Sequence, residues 1–244
     1  MRRFEGRTAL VTGGGRGIGA GMARRLATEG ARVIIASRTL DVAEEVAAEI
    51  GGTAVQVDIS DPEAAAACIR AAGTLDVLIN NAGFDDPGFF GDTTPERWRR
   101  LLDTNLMGTF ACTHAALPAM QEAGYGRILN IGSEAGRIGS KGNAVYAATK
   151  GALSSFTKSI ARENARYGIT VNTLLVGPID TPLLDKVRVT EHGSKMVAAM
   201  EAGTLLRRLG TPEEVAAAAA FVVSEEASFV TAEDIGVSGG MSIA

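Results

Sequence analysis

Residues 8–19 read TALVTGGGRGIG: the run Thr8 to Thr12 is followed by a turn made of Gly13, Gly14, Gly15, Gly17 and Gly19, with only Arg16 and Ile18 between them. The run is short and nearly continuous in its apolar character, which predicts a strand covered on both faces, as in a parallel sheet. Arg16 to Glu29 then has helical patterning, and Val33 to Ala36 (VIIA) is a second run of strand length. Strand, turn, helix and strand make a βαβ unit. A glycine-rich turn at that place lets backbone N–H groups at a helix start close on a pyrophosphate. Gly13, Gly15, Arg16, Gly17, Ile18 and Gly19 are therefore candidate phosphate-binding positions. The competing reading, a glycine turn without a ligand, is weakened by all four elements standing in order.

The alternation continues outward to the C-terminus. Helices are predicted at Asp41 to Ile50, Pro62 to Ala72, Pro95 to Ala123 and Val145 to Tyr167. Strands are predicted at Ala54 to Val57, Val77 to Ile79, Arg127 to Ile131, Thr170 to Val176 and Asp234 to Val237. No linker rich in Pro, Gly and Ser divides the chain, so residues 1–244 are expected to form a single α/β domain: a Rossmann-type, doubly wound parallel sheet with helices on both faces. A hydrophobic share of 46% against 21% charged residues supplies a core and excludes disorder. The excess of glycine, 30 residues, marks backbone geometry as a recurring demand.

Other function classes are excluded by charge and composition. The net charge is −4, with no basic block longer than Arg2-Arg3 or Arg207-Arg208, which argues against nucleic acid and for small-molecule partners. Cys68 and Cys112 lie in apolar surroundings without metal spacing. No apolar run approaches a bilayer span, and MRRFEGR at the start has no apolar segment behind its charges, so a cytoplasmic protein without membrane contact is expected. His114 and His192 have no partner at metal or triad spacing, and Trp98 is expected in the core.

The second strand carries the cofactor reading. A dinucleotide site for NAD(H) expects a carboxylate about 20 residues past the turn, where it accepts from the ribose 2′-OH. Here the strand ends Ala36-Ser37-Arg38-Thr39, and the first carboxylate, Asp41, already lies in the next helix. A guanidinium at Arg38, with Arg16 in the turn, suits a 2′-phosphate, so NADP(H) is expected over NAD(H). A solvated helix-start residue is the alternative for Arg38.

Tyr146 and Lys150, four apart on a predicted helix, project from one face. Ser133 lies just past a central strand, at the sheet edge where open α/β folds place ligands, and Asn80-Asn81-Ala82-Gly83 ends another strand on that edge. Reducing a carbonyl requires a hydride donor and an acid for the developing alkoxide. Tyr146 can be that acid, a neighbouring Lys150 cation lowering its pKa, with the Ser133 hydroxyl orienting the substrate oxygen. For Ser133 a strand-end cap, and for Asn105 a helix-packing role, are the alternatives.

In these blocks the chain resembles the short-chain dehydrogenase/reductase family over nearly its whole length. They are Thr12-Gly13-x-x-x-Gly17-x-Gly19, Asp58, Asn80 to Gly83, Asn105, Ser133, Tyr146-x-x-x-Lys150, Val171-Asn172, and Gly177-Pro178-Ile179-Asp180-Thr181. The resemblance implies a catalytic set of Asn105, Ser133, Tyr146 and Lys150, with Asn105 placing a water that relays protons to Lys150. It implies cofactor contacts at Ser37, Arg38, Asp58, Ile59, Asn81, Ala82, Gly83, Tyr146, Lys150, Gly177, Pro178, Ile179 and Thr181, in addition to the glycine turn. It also implies a homotetramer packed through the long helices and the C-terminal strand.

Within the family the chain is similar to 3-oxoacyl-thioester reductases and to alicyclic hydroxyacyl-CoA dehydrogenases; relatives of the second kind tend to use NAD, which Ser37-Arg38 opposes. The expected reaction is the interconversion of a ketone and a secondary alcohol, with a 3-oxoacyl-type or related hydrophobic ketone as substrate. A lid is expected around 181–205, and Phe84, Phe89, Phe90, Leu183, Leu184, Met196 and Met200 would make the substrate loops apolar. A nucleotide-binding sensor without chemistry is the competing class, which loss of Tyr146 or Lys150 would favour; both are present.

Overall fold

In the computed structural model, which describes residues 2–243 apart from the side chains of Leu183, Lys186, Val187 and His192, seven strands form one sheet. They are β1 (Thr8–Thr12), β2 (Arg32–Ser37), β3 (Thr53–Gln56), β4 (Val77–Asn80), β5 (Gly126–Ser133), β6 (Ile169–Val176) and β7 (Asp234–Val237). Their order is β3-β2-β1-β4-β5-β6-β7, and every neighbouring pair is parallel. The order reverses between β1 and β4, which opens a crevice at the carboxyl ends of those two strands.

Both faces are covered, as the continuous apolar runs require. Ala9, Val11, Val33, Ile35, Val77 and Ile79 pack with α1 (Gly17–Thr28), α2 (Leu40–Ile50) and α10 (Pro212–Val222). Leu10, Ile34, Leu78 and Ile128 point the other way, toward α3 (Pro62–Ala71), α5 (Gly108–Ala123) and α7 (Ala144–Asn164). The period-two alternation of a strand thus divides one apolar run between two cores. Three shorter helices, α6 (Ala135–Ile138), α8 (Pro182–Arg188) and α9 (Glu191–Ala202), lie in the second half of the chain.

The boundaries differ from expectation at informative places. The helix predicted over Pro95 to Ala123 is α4 (Pro95–Leu102) and α5 joined by a π-helical turn, Asp103–Met107, with Asn105 at its centre. Ser133 is the last residue of β5 rather than just past it. Arg16 is the N-cap of α1, with extended backbone, and not its first turn. Trp98 is only half-buried; it stacks on Phe90 at 5.2 Å between ring centroids and donates Nε1 to the Thr93 hydroxyl at 2.7 Å, so it belongs to the rim and not to the core. Among the described residues, no helix is long and apolar enough to cross a membrane.

Candidate active site

The glycine turn is held onto the end of β4. The Thr12 hydroxyl accepts from the backbone N–H groups of Asn81 (3.0 Å) and Ala82 (3.1 Å), while Asn81 Nδ2 donates to the carbonyls of Thr12 (2.9 Å) and Gly13 (3.2 Å). Asn81 therefore fixes the turn through its amide. Gly19 is buried against the same loop, where a Cβ would overlap the Gly13 carbonyl oxygen. Gly13, at φ +65°, faces Ala82 Cα at 2.9 Å from the place a Cβ would take. Close packing on one side leaves the backbone of the turn uncovered on the other. Among the described residues no side chain caps α1 and its first turn carries no acid, which leaves its N-terminal N–H groups and dipole open to an anion.

This cradle fits a dinucleotide pyrophosphate. Thr181 stands over it, its Cγ2 3.5 Å from the place of a Gly17 Cβ; Ile18 packs on the core, and Ile179 is buried in a bridge to Gly210. Gly177 lies tight against Ser238, and Gly210 N donates to the Pro178 carbonyl at 3.0 Å.

At the end of β2 the side chain of Arg38 is exposed, beside a half-buried Ser37. Gln56 Nε2 holds the Arg38 carbonyl at 3.2 Å. Asp58, on the next strand end, is desolvated, yet hydrogen bonds from Ser60 and the positive field of Arg38 leave its pKa below the ordinary value. Ile59 is buried, and its carbonyl and side chain touch Gly108 at the start of α5. The edge that would hold an adenosine ribose thus presents a guanidinium, and Asp41 lies in the first turn of α2.

Ser133, Tyr146 and Lys150 meet at the carboxyl ends of β5 and the start of α7. The Ser133 hydroxyl stands close enough to the Tyr146 phenol to lower its pKa, and it accepts from Ala135 N at 3.2 Å. Lys150 is 5% exposed; its Nζ donates to the Ile131 carbonyl at 2.7 Å and lies 5.7 Å from the Tyr146 ring centroid. Burial lowers its pKa to about 8, against the field of Asp85.

The expected depression of Tyr146 is not found. Burial pushes its pKa up, the Ser133 hydroxyl pulls it down, and Asp85 raises it further. The cause is burial: the pull of Ser133 does not offset it, and Lys150, over the ring at 5.7 Å from its centroid with one of its three N–H groups on the Ile131 carbonyl, is not among the groups that shift the phenol. A raised pKa keeps the tyrosine protonated, the form that can give a proton to a carbonyl oxygen.

Asn105 is 1% exposed and bound to one residue in both directions: its Oδ1 accepts from Phe84 N and its Nδ2 donates to the Phe84 carbonyl, each at 2.9 Å. Its Nδ2 also reaches the Thr149 hydroxyl at 3.4 Å. Gly83 lies between Asn105 and Lys150, a Cβ there falling 3.0 Å from Asn105 Oδ1 and 3.5 Å from Lys150 Nζ. Asn105 therefore holds the loop after β4 against the reacting centre, and the π turn is what aims it there.

Two residues at this site were missed by sequence reasoning. Asp85 acts on both Tyr146 and Lys150, and Asn143, the N-cap of α7, lowers the pKa of Asp85. The available signal was a carboxylate two residues past Asn80 to Gly83, within an apolar loop. That rim is apolar as expected, with Phe89 61% and Phe90 56% exposed; the Leu183 side chain lies outside the described residues.

Residues 13–242 match a family model described as enoyl-(acyl carrier protein) reductase. The chain is 39% identical over 244 residues to the 3-oxoacyl-[acyl-carrier-protein] reductase of Vibrio cholerae serotype O1, covering 98% of each chain. It is 38% identical over 250 residues to the L-fucose dehydrogenase of Bos taurus, covering 99% of this chain and 91% of that one. The crystal structure of 3-ketoacyl-(acyl-carrier-protein) reductase from Brucella melitensis complexed with NADH superimposes with a TM-score of 0.91 at 36% identity, over 98% of this chain and 100% of that one. Strand order, motif order and likeness along almost the whole length agree: the chain belongs to the short-chain dehydrogenase/reductase family and is an NAD(P)-dependent ketone-reducing oxidoreductase.

Proposed function

We propose that the chain is a cytoplasmic, homotetrameric, NADP(H)-dependent reductase of 3-oxoacyl thioesters or closely related hydrophobic ketones. The observation that carries it is a half-buried Tyr146 with Ser133 and Lys150 beside it, on the same sheet edge as an exposed Arg38. The 3-oxoacyl thioester is favoured by the names of the two ketoacyl reductases above, and by the apolar rim of Phe84, Phe89 and Phe90.

When bound, the reduced nicotinamide supplies the hydride. Gly13, Gly15, Arg16, Gly17, Ile18 and Gly19 hold the pyrophosphate; Ser37 and Arg38 take the 2′-phosphate; Asp58 and Ile59 border the adenine. Asn81, Ala82, Gly83, Gly177, Pro178, Ile179 and Thr181 line the nicotinamide half. Ser133 holds the substrate oxygen beside Tyr146, which gives it a proton. Lys150 holds the ribose, and Asn105 keeps the loop of Phe84 and the proton path to Lys150 in place. Residues 181–205, which include α8 and α9, form the lid.

The test compares NADPH and NADH oxidation with acetoacetyl-CoA, a β-ketoester and a cyclic ketone. Preference for NADPH and the acyclic thioester is the expected result; turnover of ring ketones alone, with NADH, overturns both the cofactor and the substrate reading. Tyr146→Phe removes the proton donor and should lower kcat by at least about 100-fold while NADPH still binds.

A further inference from the structure

We propose that Asp85 is a charge filter for the substrate: a fixed carboxylate at the mouth of the Ser133–Tyr146–Lys150 centre. It admits ketones whose next polar substituent is neutral or donates a hydrogen bond, and it turns away those bearing a carboxylate there.

The loop that carries Asp85 is fastened on both sides of it. Phe84, immediately before, is bound through both backbone groups to Asn105. Asp86, immediately after, takes a two-pronged hydrogen bond from Arg97 (2.8 and 2.7 Å) and a third from Arg100 at 3.1 Å. Arg97 also donates to the carbonyls of Asp86 (3.2 Å) and Pro87 (3.0 Å), and Gly88 N donates to the Gly142 carbonyl at 2.8 Å, closing the loop onto the turn before α7. Asp85 therefore cannot swing away without breaking a neighbour's bonds.

The fastening leaves the Asp85 side chain itself uncommitted. Asp86 is neutralised by its two arginines, but none of the ion pairs among the described residues takes Asp85. Burial raises the Asp85 pKa, against the pull of the Asn143 side chain and of Lys150, and the Asn143 Oδ1 is itself buried without a hydrogen bond. The carboxylate and that amide oxygen give the mouth a surplus of acceptors over donors, next to Tyr146. Lys150, the cation that acts on Asp85, is buried and donates to the Ile131 carbonyl, whereas Asp85 is exposed. Of these two charges, the one open to an incoming substrate is therefore the negative one. A neutral thioester or ester passes, a hydroxyl gains an acceptor, and a free oxo-acid anion meets like charge in a partly desolvated setting.

This inference deepens the 3-oxoacyl reading, and its test is arranged to fail separately from it. Ethyl acetoacetate, acetoacetate and 4-hydroxy-2-butanone share a four-carbon ketone and differ in the charge and donor capacity next to it. The kcat/KM of each is measured in the parent, Asp85→Asn and Asp85→Glu enzymes. The ester-to-anion ratio is expected to fall about tenfold or more in Asp85→Asn and to be largely kept in Asp85→Glu. An unchanged ratio, or an equal loss on all three substrates, overturns the proposal. A parent enzyme inert toward the ester but active on hydroxybutanone defeats the thioester reading, and the hydroxybutanone-to-acetoacetate ratio then judges Asp85 by the same criterion.

Discussion

Lys150 places its ammonium over the ring of Tyr146, Nζ lying 5.7 Å from the ring centroid and donating to the Ile131 carbonyl at 2.7 Å. A cation nine-tenths enclosed costs the fold free energy, and its pKa, lowered to about 8 from 10.5, records that cost. Between those two pH values the unfolded chain binds the proton and the folded chain does not, so this group makes stability rise with pH across that window and makes its destabilising contribution in full below pH 8. Lys150→Met removes the titration. Parent and variant melted at pH 7 and pH 9.5 should show the parent gaining on the variant by roughly 2 kcal/mol. A constant difference would mean that Lys150 keeps an ordinary pKa.

Arg38 stands exposed at the end of β2 with no carboxylate in the place where one would accept from a ribose hydroxyl. A guanidinium–phosphate contact contributes about 1.5–3 kcal/mol, so replacing Arg38 by Asp should cost NADPH roughly 10- to 100-fold in kcat/KM. The introduced carboxylate repels the phosphate and accepts from a 2′-OH, so NADH should hold or gain. Steady-state kinetics with both cofactors measure the ratio; a ratio unmoved by Arg38→Asp would transfer the discrimination to Arg16.

Gly19 and Gly51 separate two uses of glycine. At Gly19 a Cβ would overlap the Gly13 carbonyl oxygen and lie 2.6 Å from Asn81 Nδ2, so Gly19→Ala must open the turn that faces the pyrophosphate. At Gly51, the C-cap of α2, φ is +66° and a Cβ meets nothing within 4 Å. Gly51→Ala should cost about 1 kcal/mol of stability and leave cofactor affinity intact. Gly19→Ala should weaken NADPH binding by at least about tenfold, read by quenching of Trp98 or by calorimetry. Equal affinities in the two variants would show that the turn does not bind the phosphates.

These contrasts also say what the sequence could carry. TALVT, VIIA and the glycine turn declare themselves locally: each strand is a contiguous apolar run, and each side of the sheet needs only every second residue. Tyr146 and Lys150 are legible because a helix converts a spacing of four into one face. The π turn at Asp103–Met107 is not, since Asp103-Thr104-Asn105-Leu106-Met107 has no breaker, and the extra residue is held by Asn105 binding a loop twenty-one positions away. The buried relay of Asn80 to Asn130 (2.9 Å), Asn130 to Thr157 (2.8 Å) and Thr157 to Thr173 (2.8 Å) is equally hidden, because three strands and a helix must assemble before those polar groups find one another. Asp85 escaped for the same reason: a loop carboxylate acquires its setting only when Arg97 and Gly142 have fixed the chain on either side.

Asn105 tests that long-range hold directly. Its amide satisfies both the N–H and the carbonyl of Phe84 at 2.9 Å inside a buried site, and Ala in its place leaves two backbone groups without partners. Losses of this kind run to about 1–3 kcal/mol, so Asn105→Ala should melt several degrees lower, about 2–4 °C per kcal/mol for a chain of this size. Asn105→Asp keeps the acceptor for Phe84 N but sets a second acceptor against the Phe84 carbonyl, and it should be destabilised as well. Because the loop carries Gly83 and Asp85 up to Lys150, both variants should lose kcat more than they lose NADPH affinity. If Asn105→Ala melts like the parent yet is inactive, the residue acts on the reaction itself; if it melts lower with kcat intact, the anchoring of Phe84 is its whole contribution.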